Sequence, residues 1–406
     1  MSITKKSRLV HPLVSDQFGS TIAPLYRASS FAHDAKSVSD IFSSKKAGFV
    51  YTRIGNPTVM MLESQINLLE DGIGTVAFGS GMAAISAVSM LLCSSKKKIL
   101  ASSSIFGGTY SLFTKILSNF GVETLFFDSV DELRRIITDE AAFIFVETIG
   151  NPSIKVSNIK ELASIKGVLP LVVDSTVTPY IFNGKSYGAD IVVYSATKML
   201  SGHGRAIGGA VVDCGSYDWA NSRYDAALKS YLNLGQFSFL AALRQLYLAD
   251  LGGCLSPETA ESILTGMETL ALRVKESCKN AEFLATILKE RGLNVKYPKF
   301  SRYSQQIAEQ FSGYYGSIFT IDFESAERAF GFIDNLKIPL DMPNLCDTRT
   351  MAIHAASTIG AALNDNEKAA SGITDGLVRV SVGIEDKYDL KDDFLNAIDA
   401  IGGKDK

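Results

Sequence analysis

From about residue 60 onward, apolar residues alternate between helical spacing and short continuous runs. MLESQINLLEDG (61–72) places Leu62, Ile66 and Leu69 on one helical face and stops at Gly72. TVAF (75–78) predicts a short strand, and in the following GSGMAAISAVSMLL the residues Met82, Ile85, Val88 and Leu92 again have helical spacing. Unbroken apolar runs then recur at KILAS (98–102), TLFFDS (124–129), FIFVET (143–148), LPLVVDS (169–175), DIVVYS (190–195) and GGAVVD (208–213). Helical patterns such as VDELRRII (130–137) and NIKELASI (158–165) lie between them. Strands that are apolar throughout and interleaved with helices predict an α/β fold, a mostly parallel sheet covered on both faces.

The two ends of the chain differ from this middle. Residues 1–60 are irregular, with turn formers, a Lys45-Lys46 pair and the polar-aromatic stretch FVYTRIGNPT (49–58). Such a segment reads as a flexible leader or as an arm lying on a neighbour. After LSPETAES (255–262) comes one long helical stretch, TLALRVKESCKNAEFLATILKERG (269–292), then mixed elements that include SIFTIDF (317–323) and LVRVSVG (377–383). The expected division is an arm at 1–60, an α/β domain at 61–260 and a smaller α+β domain at 261–406.

Composition narrows the function classes. With 46% hydrophobic and 20% charged residues the chain is rich in core formers, which excludes disorder. Forty basic against 43 acidic residues leave −3, so nothing favours nucleic acid as a partner. The most apolar stretch, GMAAISAVSMLLC (81–93), is too short to span a bilayer, and MSITKKSRLVHPLV lacks the apolar core of a signal peptide. No membrane partner is expected. Five cysteines (93, 214, 254, 278 and 346) never form a CxxC pair, and the four histidines are isolated. Reduced thiols, a cytoplasmic location and no metal site follow as expectations.

In open α/β sheets ligands sit outside the carboxyl ends of the strands. At the first such end, Ser80, Gly81 and Met82 lie between strand and helix, where backbone N–H groups would hold a phosphate. GSGMAA also fits a loose dinucleotide pattern, but that reading needs an acidic residue at the next strand end. Ala101-Ser102-Ser103-Ser104 supplies none, which leaves a nicotinamide-dependent dehydrogenase as a remote alternative. LVVDST ends in Asp174, and IVVYSATK carries Ser195, Thr197 and Lys198. Singly, Lys198 reads as a solvated lysine and Asp174 as a cap or turn residue. With the anion site they suggest pyridoxal 5'-phosphate. The lysine would form the Schiff base, the aspartate would keep the pyridine nitrogen protonated, and Ser195 and Thr197 would offer hydroxyls to the phosphate.

The motifs YTRIGNPT (51–58), FGSGMAAI (78–85), GGTY (107–110), ETIGNP (147–152), VVDST (172–176), SATK (195–198), IGG (207–209) and VRVSVGIED (378–386) occur in the order of a known family. From about residue 10 to its end the chain resembles the Cys/Met-metabolism pyridoxal-phosphate enzymes, which have the aspartate-aminotransferase-like fold type I. ETIGNP, GADIVVYSATKMLSGHG and CDTRTMAIHAAST (346–358) look most like the O-acetylhomoserine sulfhydrylase branch.

The resemblance implies roles residue by residue. Lys198 holds the cofactor and moves protons, Asp174 faces the pyridine nitrogen, and Phe106 stacks on the ring. Ser80, Gly81, Met82, Ser195 and Thr197 bind the phosphate, with Tyr51 and Arg53 reaching it from a neighbouring subunit; Tyr51 is also a second candidate for proton transfer. Asn151 lies near the cofactor's phenolic oxygen and the substrate. Arg379 binds the substrate carboxylate, helped by the Thr350 segment, although on its own it reads as a surface arginine on an alternating strand. Three departures stand out. Phe106 replaces the usual tyrosine over the ring, Tyr194 stands where histidine is common, and HAAS (354–357) lacks the usual proline.

The implied reaction is γ-replacement. O-acetyl-L-homoserine loses acetate and a sulfur nucleophile takes its place, giving homocysteine for methionine biosynthesis. The sulfur donor is sulfide or a sulfur carrier, and the enzyme is a homo-oligomer, a tetramer built from dimers. A methionine or cystathionine γ-lyase, or a cystathionine γ-synthase, is the alternative on the same scaffold.

Overall fold

In the computed structural model, which describes residues 3–11, 16–43, 45–361 and 363–402, the apolar runs form two sheets. Parts of the expected N-terminal arm (1–2, 12–15 and 44) lie outside the described residues. The large sheet comprises β1 (Gly74–Phe78), β2 (Lys98–Ser102), β3 (Glu123–Phe127), β4 (Ala141–Glu147), β5 (Leu171–Asp174), β6 (Ile191–Ser195) and β7 (Gly209–Asp213). Its order is β1-β7-β6-β5-β4-β2-β3. All neighbours are parallel except β7, which runs antiparallel to both β1 and β6.

Alternate residues of each strand enter two separate cores. Phe143, Phe145 and Val172 pack on one face, while Ile144, Val146 and Val173 pack on the other. This is the two-sided burial expected of continuous apolar strands. The helix Gly81–Leu92 contributes to one face, and the helix Pro57–Glu70 to the other.

That second helix begins four residues before the periodic pattern suggested. Asn56 accepts the Thr58 N–H at 2.9 Å, and Pro57 occupies the first helical turn, where its missing N–H costs nothing. The NP pair of FVYTRIGNPT is therefore a helix start. Ahead of it, Leu9 is buried in the same core as Leu62 and Ile66 of this helix, and Lys5 donates to the Leu69 carbonyl at 2.7 Å. The start of the N-terminal segment is thus anchored on its own chain, whereas most of 16–49 is exposed.

The small sheet is wholly antiparallel. It contains β8 (Asn294–Lys296), β9 (Ile318–Asp322), β10 (Met351–His354) and β11 (Leu377–Ser381) in the order β10-β11-β9-β8. The long helical stretch expected at 269–292 is the helix Leu270–Glu290, and a further helix, Pro257–Glu268, precedes it across Thr269. The longer helix ties the sheets together. Leu270, Val274 and Cys278 enter a core of the large sheet, and Ala281, Leu284 and Leu288 enter that of the small one. On β11 the period of two sends Val378 and Val380 into this small core and leaves Arg379 on the opposite face. No helix among the described residues is long and apolar enough to cross a membrane.

Behind β6 lies a fully buried carboxyl. Glu70 accepts the Tyr194 hydroxyl and the Gly184 N–H, and burial outweighs these bonds, pushing its pKa up to about 7. A carboxyl raised in the folded state favours folding below its unfolded value, near 4.5, and that contribution is lost as pH rises through about 7. Glu70→Gln retains an acceptor for Gly184 and a donor for Tyr194 without an ionisable proton. Its unfolding free energy relative to wild type is expected to improve by roughly 3 kcal/mol between pH 4.5 and 8. Urea unfolding across that range tests this, and parallel curves for the two proteins would refute it.

Candidate active site

The site begins where β7 reverses direction between β1 and β6. Gly209, its first residue, is in register with Phe78 on one side and Ser195 on the other. A Cβ on Gly209 would lie 2.1 Å from the Ser80 carbonyl oxygen, and one on Gly81 would lie 2.8 Å from the Ser195 Cβ. Only glycine permits so close an approach of three segments. Ser80 caps the helix Gly81–Leu92 by accepting the Ala83 N–H at 3.1 Å. The first N–H groups of that helix have no intrahelical partner, and they lie at its positive end.

Gly81, Met82, Phe106, Asn151, Asp174, Ser195, Lys198 and Arg379 line a single cavity of about 130 Å³. The parallel arrangement brings the carboxyl ends of β1, β4, β5 and β6 to one edge, and Phe106 follows β2. Arg379 arrives from the small sheet, only 1% exposed. Asp174 accepts the Thr176 N–H at 2.9 Å, and burial raises its pKa to about 6. Lys198 donates to the Asn344 Oδ1 at 2.6 Å; burial, with Arg379 nearby, holds its amine below the usual lysine range.

Arg379 donates to the Asn344 carbonyl at 2.6 Å and to the Asn151 Oδ1 at 3.4 Å, while its Nε is buried without a partner. No carboxylate pairs with it among the described residues. A buried guanidinium with a free N–H is a receptor for an anion that comes from outside.

Other sequence-selected residues lie elsewhere. Thr350 does not line the cavity: its hydroxyl donates to Glu385 at 2.8 Å and accepts the Gly383 N–H at 2.9 Å. The segment beside Arg379 is instead Asn344–Leu345. Thr197 exchanges hydrogen bonds with the backbone of Gly208. Tyr51 is 44% exposed outside the cavity, with the Arg53 guanidinium 5.4 Å from its ring centroid and donating to the Ala249 carbonyl.

Two residues of the site were missed. Glu147 ends β4 as Asp174 ends β5, so a charged residue closing a buried strand was the available signal. Asn344 lies in an irregular loop, and nothing in its sequence neighbourhood marks it.

The fold and cavity define a class: an α/β enzyme with a phosphate cradle, a buried carboxylate and a lysine of depressed basicity at one sheet edge. Comparison with known proteins names the family. Residues 6–399 match the model of the Cys/Met metabolism PLP-dependent enzymes, and the chain belongs to that family. It is 34% identical to the O-acetyl-L-homoserine sulfhydrylase of Leptospira meyeri over 412 residues, covering 94% of this chain and 93% of the relative. It is 31% identical to an L-methionine gamma-lyase of Fusobacterium nucleatum subsp. polymorphum, covering 95% of each. A Campylobacter jejuni structure described as an O-acetylhomoserine (thiol)-lyase, with N'-pyridoxyl-lysine-5'-monophosphate in its chain, superposes with a TM-score of 0.90 at 28% identity. That match covers 98% of this chain and 100% of the other.

Pyridoxal 5'-phosphate is the family's cofactor, and the residues present fit it. The glycine-built corner leaves room for a phosphate where any side chain would intrude, and Asp174 is a half-buried carboxylate with no cation paired to it among the described residues. Arg379 carries a cost in the free protein because its charge is buried and unpaired. Arg379→Met should therefore leave the cofactor-free fold as stable as wild type or more stable, by up to roughly 2 kcal/mol. Thermal unfolding of the apoproteins measures this, and a clearly lower midpoint for the variant would show that Arg379 is a structural residue.

Proposed function

We propose that this enzyme replaces the γ-acyloxy group of O-acetyl-L-homoserine with a sulfur nucleophile, giving homocysteine. The observation that carries this reading is Phe106, 39% exposed and lining the cavity where the family's tyrosine would stand. Relatives named as O-acetylhomoserine sulfhydrylases support it. In this reading Gly81, Met82 and Ser195 would hold the phosphate with Ser80 and Thr197, Asp174 would pair with the protonated ring nitrogen, and Phe106 would cover the ring. Asn151 would serve the ring's oxygen substituent, and Lys198 would hold the cofactor through its aldehyde. Bound there, the cofactor supplies an electron sink that makes protons at the substrate's Cα and Cβ removable.

The chain's own residues do the rest. The substrate carboxylate takes the free Nε of Arg379 and a second N–H of the same guanidinium, which fixes the amino acid in one orientation. Lys198 removes and returns protons at Cα and Cβ. A low-basicity amine suits this work because it is neutral for part of the cycle. The Asn344 Oδ1, 2.6 Å from Nζ, gives the amine a fixed resting position. Tyr51 and Arg53, outside the cavity of their own chain, would complete the phosphate site of a second copy in a homo-oligomer, a tetramer built from dimers. The compartment is the cytoplasm, in keeping with unpaired thiols at all five cysteines.

Phenylalanine keeps the stacking surface of tyrosine but cannot donate a proton. A departing thiolate, whose conjugate acid lies near ~8.5, needs one, and such donation is worth ~10²–10⁴-fold. Departing acetate resembles a glutamate side chain near ~4.3 and can leave unprotonated. An acylated homoserine is therefore favoured over a thioether, and this argues against the γ-lyase reading.

Product analysis with O-acetyl-, O-succinyl- and O-phosphohomoserine plus sulfide is the direct test, with Lys198→Ala as the inactive control. Homocysteine should form fastest from the acetyl ester; no homocysteine from any ester would reject the reading. A second comparison sets wild type against Phe106→Tyr on O-acetylhomoserine with sulfide and on cystathionine or methionine alone. Wild type should strongly prefer the ester, and the tyrosine variant should gain thioether cleavage. Equal wild-type turnover on both substrate types would refute the leaving-group argument.

A further inference from the structure

Glu147 closes β4 in register with Asp174 on the neighbouring parallel strand, so both side chains leave the sheet on the same face. It is 6% exposed and lines the cavity. Its Oε1 accepts the Phe106 N–H at 2.5 Å, and the backbone N–H of Asn151 faces the same carboxyl. Among the described residues no lysine or arginine forms an ion pair with it. One carboxyl thus touches the backbone of two residues assigned above to the cofactor and stands beside the third.

We propose that Glu147 is a positioning residue for the cofactor ring, acting as an uncharged hydrogen-bond acceptor that fixes the Phe106 backbone and steadies that of Asn151 next to Asp174. The proposal rests on the pyridoxal-phosphate reading of the cavity. Two carboxylates in register at one buried sheet edge cannot both keep a charge cheaply when no cation stands between them. Burial, and then the proximity of Asp174, raise the Glu147 pKa well above the ordinary carboxyl range, so Asp174 is the member that stays ionised. A neutral carboxyl still accepts N–H groups through its carbonyl oxygen. That leaves the negative charge of the pair on Asp174, where a protonated ring nitrogen needs it. Glu147 meanwhile holds the turn that starts at Phe106 and the Asn151 segment at a constant distance.

The roles of acceptor and charge make opposite demands on substitutions. Glutamine has the same reach and a carbonyl oxygen but cannot ionise, whereas aspartate keeps an ionisable carboxyl and loses one methylene of reach. Full-length apoprotein is titrated with pyridoxal 5'-phosphate at fixed neutral pH, following absorbance and the induced circular dichroism of the bound cofactor. Glu147→Gln should bind within about threefold of wild type with an unchanged dichroic band. Glu147→Asp and Glu147→Ala should bind roughly tenfold or more weakly, with an altered band, the scale of a lost hydrogen bond to a buried group. If aspartate matches wild type while glutamine fails, the residue acts through its charge and the proposal is wrong. If all three bind and absorb as wild type and differ only in melting temperature, its role is structural and the proposal is equally wrong. Should Glu147→Ala not fold, the order of the aspartate and glutamine variants decides the question. Wild-type apoprotein that binds no cofactor overturns the underlying reading and, with it, this one.

Discussion

The site depends on one close approach. β7 enters the large sheet against the direction of its neighbours, and its first residue, Gly209, has no side chain to keep the ends of β1 and β6 apart. The Ser80–Gly81 turn therefore sits directly over the sheet, and the Gly81 helix starts within reach of Ser195. A methyl group at either glycine would have to displace backbone, not the flexible end of a side chain. The helix terminus, the serine that ends β6 and the lysine three residues later are placed by that contact. Arg273, from the long helix, secures the far side by donating to the carbonyls of Met199, Leu200 and Gly266. A buried guanidinium spread over three carbonyls holds the segment after Lys198 without adding a carboxylate to the site.

Charge in the cavity is arranged as unmet demand. Asp174 and Glu147 share one edge without a cation, and Arg379 lies opposite without an anion. Within a self-sufficient core these groups would pair with one another, since breaking up buried ions is costly. They are kept apart because they belong to different sheets and face different parts of the cavity. A ligand with a protonated ring nitrogen, a phosphate and, on the substrate, a carboxylate satisfies each of them separately. Affinity and orientation then come from the same groups that make the empty site expensive.

Much of this was legible in residue order. Continuous apolar runs with helices between them specify a covered parallel sheet whatever the details of packing, because burial on both faces leaves no room for alternation. Residues at strand ends, such as Asp174 and Ser195, were equally accessible, since the sheet edge is fixed once the strands are. What lay beyond reach was set by tertiary contact. Asn344 acquires its place because its loop crosses the cavity, and Thr350 is turned away because Glu385 captures both its N–H and its hydroxyl. The helix Pro257–Glu268 is signalled by its start, the Ser256 cap followed by Pro257, rather than by apolar spacing. Arg379 is the instructive case. An arginine flanked by valines on a strand has the pattern of an outward-facing residue, and it does face away from its own core. The edge of the large sheet covers that face, with Asn151 in hydrogen-bond reach of the guanidinium.

Asn344 shows how the two sheets act on one reaction centre. Its side-chain oxygen holds the lysine amine, and its backbone carbonyl holds the arginine that would bind the substrate carboxylate, both at 2.6 Å. Lys198 belongs to the large sheet and Arg379 to the small one, so a single loop residue sets the distance between the proton-transfer group and the anchoring group. That distance has a chemical meaning, because the carboxylate and the protons at Cα and Cβ are separated by fixed bonds in any amino-acid substrate. In the proposed reaction, the shared contact with Asn344 would favour α-amino acids by geometry before the γ-substituent is read. Selection at the γ-position would then fall to the Phe106 ring, an apolar surface with no hydroxyl to protonate a leaving group.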